Sequence, residues 1–174
     1  MDSEVRFIYL EVFLVLYPSL FGSDPLFPSA LDFEVRAKDE TAGSGVFTFR
    51  SWQQGEVLAR MSGHVIDEVR QHTLQISPDQ HNFDPYFSGY FLHSCEPNIS
   101  LDMNTMLVTA LSDIPSHSWL YMDYAETEDY LFKSFPCGCA TPSCRGWVYG
   151  RLQQPEAELS AEQAGYAGML GDRS

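Results

Sequence analysis

Apolar positions along this chain come in short β-branched and aromatic runs, separated by polar gaps rich in glycine. Alternation of this kind predicts strands over 31–37, 45–50, 56–60, 63–66, 73–76, 106–111 and 118–124. Turns join the runs, with no regular helical stretches between them, so the pattern predicts a mostly β fold with few short helices. No internal repeat is visible. Near the start, residues 7–16 are almost all apolar until Pro18 interrupts them. That run carries Glu11 and falls short of the roughly 20 residues a membrane span needs. Asp2 and Glu4 outweigh Arg6, which is the wrong charge for a secretory leader, so the run reads as a buried strand or helix. The stretch PSLFGSDPLFP over 18–28 reads as a linker, and 153–174 as a frayed helix or tail. The expected organisation is therefore an extension and linker over 1–30, a β unit over 31–134, a cysteine loop over 135–148 and an acidic tail over 149–174.

Charge narrows the range of partners. The 174 residues hold 10 Lys+Arg against 24 Asp+Glu, a formal net charge of −14. A surface of that sign is unsuited to coating duplex phosphates, so no direct nucleic-acid binding is expected. It attracts basic partners instead. A hydrophobic fraction of 44% with 14% aromatics excludes a wholly disordered chain.

The candidate chemistry lies in the second half. Four cysteines occur: Cys95, then Cys137, Cys139 and Cys144 in the run PCGCATPSCRG. A CxCxxxxC loop can turn three sulfurs toward one ion, and Cys95 completes the four thiolates of a structural zinc site. Two disulfides, which four cysteines can form in three ways, and free buried thiols are the alternatives. His64, His72, His81 and His117 are scattered without paired ligand spacing and read as solvated or hydrogen-bonded surface residues. His93 stands apart because it opens the run HSCEPN at 93–98.

HSCEPN, then Asp123-Tyr124, then CxCxxxxC resembles the SET-domain protein lysine methyltransferases that carry a zinc-binding post-SET loop. The resemblance spans roughly 32–147. It implies a SET-domain β fold with a zinc-bound C-terminal loop, S-adenosyl-L-methionine as cofactor, and methyl transfer to the side-chain amine of a lysine in a protein. Gly43, Ser44, Gly45, Val46 and Phe47 resemble the family's glycine-containing cofactor segment. Leu92 and His93 match cofactor-binding positions, and Trp147 matches one that can stack on the adenine. Tyr124 matches the catalytic tyrosine, and Cys95, Cys137, Cys139 and Cys144 match the zinc ligands. Asn98 is expected to cap its turn, while Phe87, Tyr90 and Phe91 fit either the lysine channel or plain core. A basic, lysine-bearing protein or peptide, a histone among the candidates, is the implied substrate. An intracellular setting, cytoplasmic or nuclear, is the implied location.

The chain departs from the family at several places. Leu92 stands where the family usually has asparagine, Gly63-His64 replaces Gly-Glu, and His117-Ser118-Trp119-Leu120 replaces the usual Gly-Glu before the catalytic turn. Met122 occupies a position that often holds Phe or Tyr and influences how many methyls are added. An apolar Leu92 removes polar cofactor contacts, so a catalytically inactive SET-like module that binds a basic peptide is the alternative reading. A small zinc-stabilised interaction domain is a third.

Overall fold

The computed structural model describes residues 14–153. Most of the apolar run over 7–16, and the tail beyond 153, lie outside the described residues. Among the described residues, no helix is long and apolar enough to cross a membrane.

The architecture is a set of small sheets wrapped around an aromatic core. β1 (Phe33–Asp39) and β2 (Gly43–Thr48) form an antiparallel hairpin. Its turn is built by Asp39, whose carboxylate accepts from the Thr41 and Ala42 N–H groups at 2.9 and 2.7 Å. Gly43 follows with φ +71°, a conformation that disfavours any side chain. β3 (Val57–Arg60) pairs with β9 (Leu107–Ala110), which pairs with β8 (Ile99–Asp102), all antiparallel. A third sheet has the order β4 (His64–Ile66), β6 (Gln80–Phe83), β5 (Thr73–Ser77). β10 (Ser118–Trp119) joins the open side of β2. Two strands that matter most for the site, β7 (Leu92–His93) and β11 (Tyr121–Met122), run parallel. One turn of helix, α1 (Tyr124–Thr127), follows directly. β12 (Phe135–Pro136) and β13 (Trp147–Val148) close the cysteine loop as a hairpin.

Phe33 stacks on Trp52 with ring centres 5.4 Å apart, and Phe87 packs edge-on against both Phe33 and Phe91. Val46, Ile99, Val108, Ile114, Leu120 and Met122 fill the remaining space. Each buried aromatic of this kind contributes about 1.5–3 kcal/mol.

The stretch over 18–28 and the residues flanking it pack onto the β unit. Tyr17 is only 5% exposed and packs edge-on against Phe27 and Phe87. Leu26 accepts a backbone hydrogen bond from Arg60, and Val15 bridges to Ser29. Proline and glycine there shape a tight fold-back around large apolar anchors, and the anchors decide the outcome.

Tyr17 also reaches Asp84, a carboxylate buried completely. Asp84 accepts from the Tyr17 hydroxyl at 2.7 Å, from the Tyr86, Phe87 and Ser88 N–H groups at 2.9, 3.1 and 2.7 Å, and from the Ser88 hydroxyl at 2.6 Å. Five donors offset the cost of removing that charge from water. Burial and the adjacent carboxylate push the Tyr17 hydroxyl well above its ordinary range. The Asp84 hub fixes the turn leading into Phe91, Leu92 and His93.

Candidate active site

A cleft of about 1140 Å³ opens between the β1–β2 hairpin, the strand pair β7–β11, α1 and the cysteine loop. Strand pairing brings its distant walls together. The Leu92 N–H donates to Leu120 and the Ser94 N–H to Met122, which locks HSCEPN beside the segment ending in Tyr124. Asn98 reinforces the contact from both ends of its amide. Its Nδ2 donates to the Trp119 carbonyl at 2.9 Å, and its Oδ1 accepts from the Tyr121 N–H at 2.8 Å. Asn98 thus stitches two segments together instead of capping its own turn.

Tyr124 opens α1, and Asp123 is the N-cap, accepting from the Ala125 N–H at 3.1 Å. The pattern Asp123-x-x-Glu126 is a helix-start signal that the sequence carries. The Tyr124 hydroxyl donates to the Phe91 carbonyl at 2.7 Å. With its proton committed there, the oxygen keeps its lone pairs for a neighbour. Burial, helped by the nearby Glu128 carboxylate, pushes this hydroxyl up to about 12, so it stays neutral.

His93 packs edge-on against Tyr124 with ring centres 5.2 Å apart. Its Nδ1 accepts from the Tyr124 N–H at 3.3 Å, which places the ring proton on Nε2, 3.5 Å from the Cys95 sulfur. Burial draws His93 down to about 4, against the opposing pull of Asp123, so the ring is uncharged at neutral pH.

The four cysteine sulfurs lie within 4.8 Å of one another, with Cys95 and Cys137 3.9 Å apart, and none is in a disulfide. A tetrahedral zinc with bonds near 2.3 Å sets its sulfurs about 3.8 Å apart, so the cluster needs only slight contraction to fit. Surrounding donors suit thiolates. The Arg145 N–H points at Cys95 at 3.3 Å, and the Thr141 hydroxyl lies 3.2 Å from Cys139. That hydroxyl, with neighbouring N–H groups, draws Cys139 down to about 5, while burial pushes Cys137 up to about 12. A bound cation favours the deprotonated form of every ligand.

The cofactor candidates divide. Gly43, Ser44, Leu92 and His93 line the cleft with Tyr124. Gly45, Val46, Phe47 and Trp147 are not on its wall. Val46 is wholly buried in the core. Phe47 packs against Trp119, with the Arg36 guanidinium 3.4 Å from its ring centre. Gly45 lies under Leu92, and Trp147 pairs with Pro136 in the terminal hairpin. Tyr90 and Phe91 line the cleft, whereas Phe87 is core. His81, expected at the surface, is buried in β6 at 3% exposure. His72 is half-buried against Tyr90 and lines the cleft.

Glu128 was invisible as a site residue from sequence. It lines the cleft at 3% exposure, one helical turn beyond Tyr124, and accepts from the Gln75 N–H at 2.8 Å. Burial pushes its carboxyl up to about 7, against the lowering effects of that hydrogen bond and of Arg151. Only the approach of β5, over fifty residues earlier, creates this environment.

No family model matches the chain. A variant-silencing SET domain-containing protein from Plasmodium falciparum is 26% identical over 144 residues. That match covers 67% of this chain and 6% of the relative, so the chain corresponds to a small part of that protein. Among solved structures, KRYPTONITE in complex with mCHG DNA and SAH superposes with a TM-score of 0.57 at 22% identity, over 67% of this chain and 29% of that one. A second KRYPTONITE complex, with mCHH DNA, an H3(1-15) peptide and SAH, gives 0.52 at 20% identity, again over 67% and 29%. The methyltransferase domain of the human histone-lysine N-methyltransferase SETMAR gives 0.53 at 18% identity, over 67% of this chain and 57% of that one. The parallel β7–β11 pair, the tyrosine beside it and the four-cysteine loop are thus set in the fold of the SET-domain methyltransferases.

Proposed function

We propose that this chain transfers a methyl group from S-adenosyl-L-methionine to the side-chain amine of a lysine in a basic protein segment. The observation that carries the reading is Tyr124. Its neutral hydroxyl is anchored on Phe91 in the wall of a cleft that Gly43, Ser44, Leu92 and His93 also line. The SAH in the KRYPTONITE complexes supports the cofactor, and the histone peptide in one of them supports a basic substrate, with histones as candidates.

The cofactor supplies an electrophilic methyl on a positively charged sulfur. What remains for the protein is to present an uncharged amine in line with it. Free lysine has a pKa near 10.4, and apolar surroundings such as Tyr90, Phe91 and Phe135 disfavour the ammonium form. The Tyr124 oxygen, its own proton turned to Phe91, accepts from the amine and aligns it. His93 and Leu92 lie at the cofactor side of the wall. Cys95, Cys137, Cys139 and Cys144 hold a structural zinc that ties the C-terminal loop to HSCEPN; four thiolates leave no position for a reacting water. The net charge of −14 favours a Lys/Arg-rich segment over nucleic acid. Work inside the cell, in cytoplasm or nucleus, agrees with cysteines that are free to bind metal.

Leu92 favours a second reading, a SET-like module that binds basic peptides without turnover. Its side chain is apolar where the family usually offers an amide, and it is packed down on Gly45.

Calorimetric titration of S-adenosyl-L-methionine into the zinc-loaded chain separates the two. Micromolar binding supports the enzyme, and Tyr124→Phe is then expected to bind normally while losing transfer to core histones. Absence of binding by a folded, zinc-loaded chain overturns the methyltransferase reading in favour of the peptide-binding module.

A further inference from the structure

Lysine occurs at only two positions in the 174 residues, Lys38 and Lys133, and both line the cleft. The other eight basic residues are arginines. Guanidinium groups remain protonated and are not nucleophiles at ordinary pH. The chain's side-chain amines are therefore confined to the wall where a lysine amine is to be methylated.

The two are held differently. Lys38 is the extra residue of a bulge in β1, between the pairs Ala37–Ser44 and Asp39–Gly43. A bulge re-aims its side chain, and here Lys38 Nζ sits 5.1 Å from the centre of the Tyr121 ring. That contact with the aromatic face holds its side chain in place. Lys133 lies in the irregular stretch between α1 and β12, where it is exposed. No carboxylate or carbonyl among the described residues holds its Nζ. Two residues further on, Phe135 packs edge-on against Tyr124, with ring centres 6.4 Å apart. The backbone bearing Lys133 thus runs past the residue that aligns the acceptor amine.

We propose that Lys133 is a methyl acceptor for the chain's own cleft, modified in cis. The inference rests on the methyltransferase reading above. In the step, neutral Lys133 Nζ bonds to the methyl carbon as the carbon–sulfur bond of S-adenosyl-L-methionine breaks. The bonding pair goes to sulfur, leaving S-adenosylhomocysteine, and the surplus proton on nitrogen passes to water. Tethering through a few residues holds the amine at an effective concentration on the order of millimolar. Lys133 therefore competes well with any lysine arriving from solution.

The test is intact-mass spectrometry of the full, zinc-loaded chain incubated with S-adenosyl-L-methionine, beside a parallel reaction containing core histones. The expected result is a gain of one methylene per transfer, mapped to Lys133 by fragmentation. The gain disappears in Lys133→Arg and persists in Lys38→Arg. The fraction modified per unit time stays constant as the protein is diluted, as a reaction in cis requires. Methylated histones with unmodified Lys133 overturn this inference and leave the enzyme reading standing. Modification at Lys38 instead, or a fractional rate that falls on dilution, also overturns it. If neither Lys133 nor the histones gain a methyl, both the inference and the reading beneath it fall.

Discussion

Leu92 rests on the bare α-carbon of Gly45: a β-carbon built there meets Leu92 Cγ and Cδ1 at 2.7 Å. Real β-carbons do not tolerate that approach, so the glycine and the leucine fit only as a pair. Gly45→Ala alone is expected to cost about 1–3 kcal/mol, and Leu92→Ala to restore part of it in a double-mutant cycle measured by urea unfolding. Additive costs would show that the two positions are independent.

Leu92→Asn tests the cofactor wall from the other side. An amide there returns a donor and an acceptor to the cleft and is expected to tighten S-adenosyl-L-methionine about tenfold, or about 1.4 kcal/mol. Calorimetry reads the change directly. Unchanged affinity would assign this wall no part in holding the cofactor.

Asp84 carries a stability prediction. Asp84→Ala strands the Tyr17 hydroxyl, the Ser88 hydroxyl and three backbone N–H groups in the interior. Its expected cost is about 3–5 kcal/mol, whereas Tyr17→Phe, which removes one donor, costs about 1–2 kcal/mol. Thermal unfolding of the two variants ranks them.

Glu128 gives the fold a pH signature. Its carboxyl titrates near 7 in the folded chain, against about 4.3 unfolded. Between those values the folded state holds the extra proton, so this residue's contribution falls as pH rises from about 4 to 7 and is level above. The loss amounts to about 4 kcal/mol at most. The groups around it are the Gln75 N–H from β5, its neighbour Asp129, Arg151 and Tyr124. Exposed Asp39 and Asp102 and half-buried Asp129, each drawn down by hydrogen bonds, slope the opposite way, so the readout is a difference. Glu128→Gln keeps an acceptor for Gln75 and is expected to gain on the parent progressively as pH rises through that window. A constant offset between the two unfolding curves would contradict the assignment.

Metal removal is expected to act locally first. Elemental analysis should find one zinc per chain, and a chelator should release amide protection at Cys137, bonded to Gly146 across the loop. The Ile99–Ala110 pairing between β8 and β9 should keep its protection. Equal loss at both would make the cysteine loop part of the main folding unit.

Much of this was legible from the residues. Every predicted strand has a counterpart within a few positions, because each is bounded by glycine or polar turn residues. HSCEPN, Asp123-Tyr124 and the cysteine spacing announced the site. β6, β7, β8, β12 and β13 escaped, since Gln80-His81-Asn82-Phe83 is too polar to read as a buried strand, and two-residue strands such as Leu92–His93 exist only through their partners. The same limit hid Glu128, whose carboxylate is unusual only because β5 covers it. Over 18–28, Pro18, Gly22 and Pro25 were visible as turn residues, but the packing of Phe27 on Tyr17 was not. At Val46 and Phe47, residues adjacent to a glycine motif turned out to serve packing on either side of β2.

Asp123 has two allegiances. The same oxygen that caps α1 accepts from Arg145 Nη2 at 2.6 Å, and Arg145's own N–H reaches the Cys95 sulfur. Ordering the cysteine loop and starting the helix that begins with Tyr124 are therefore a single equilibrium seen from two ends. By linkage, whatever an ion gains from a well-set Asp123, an occupant of the cleft gains from the ion by the same factor. Metal affinity measured with and without S-adenosyl-L-methionine thus reports how firmly the tyrosine is aimed, without any methyl being transferred.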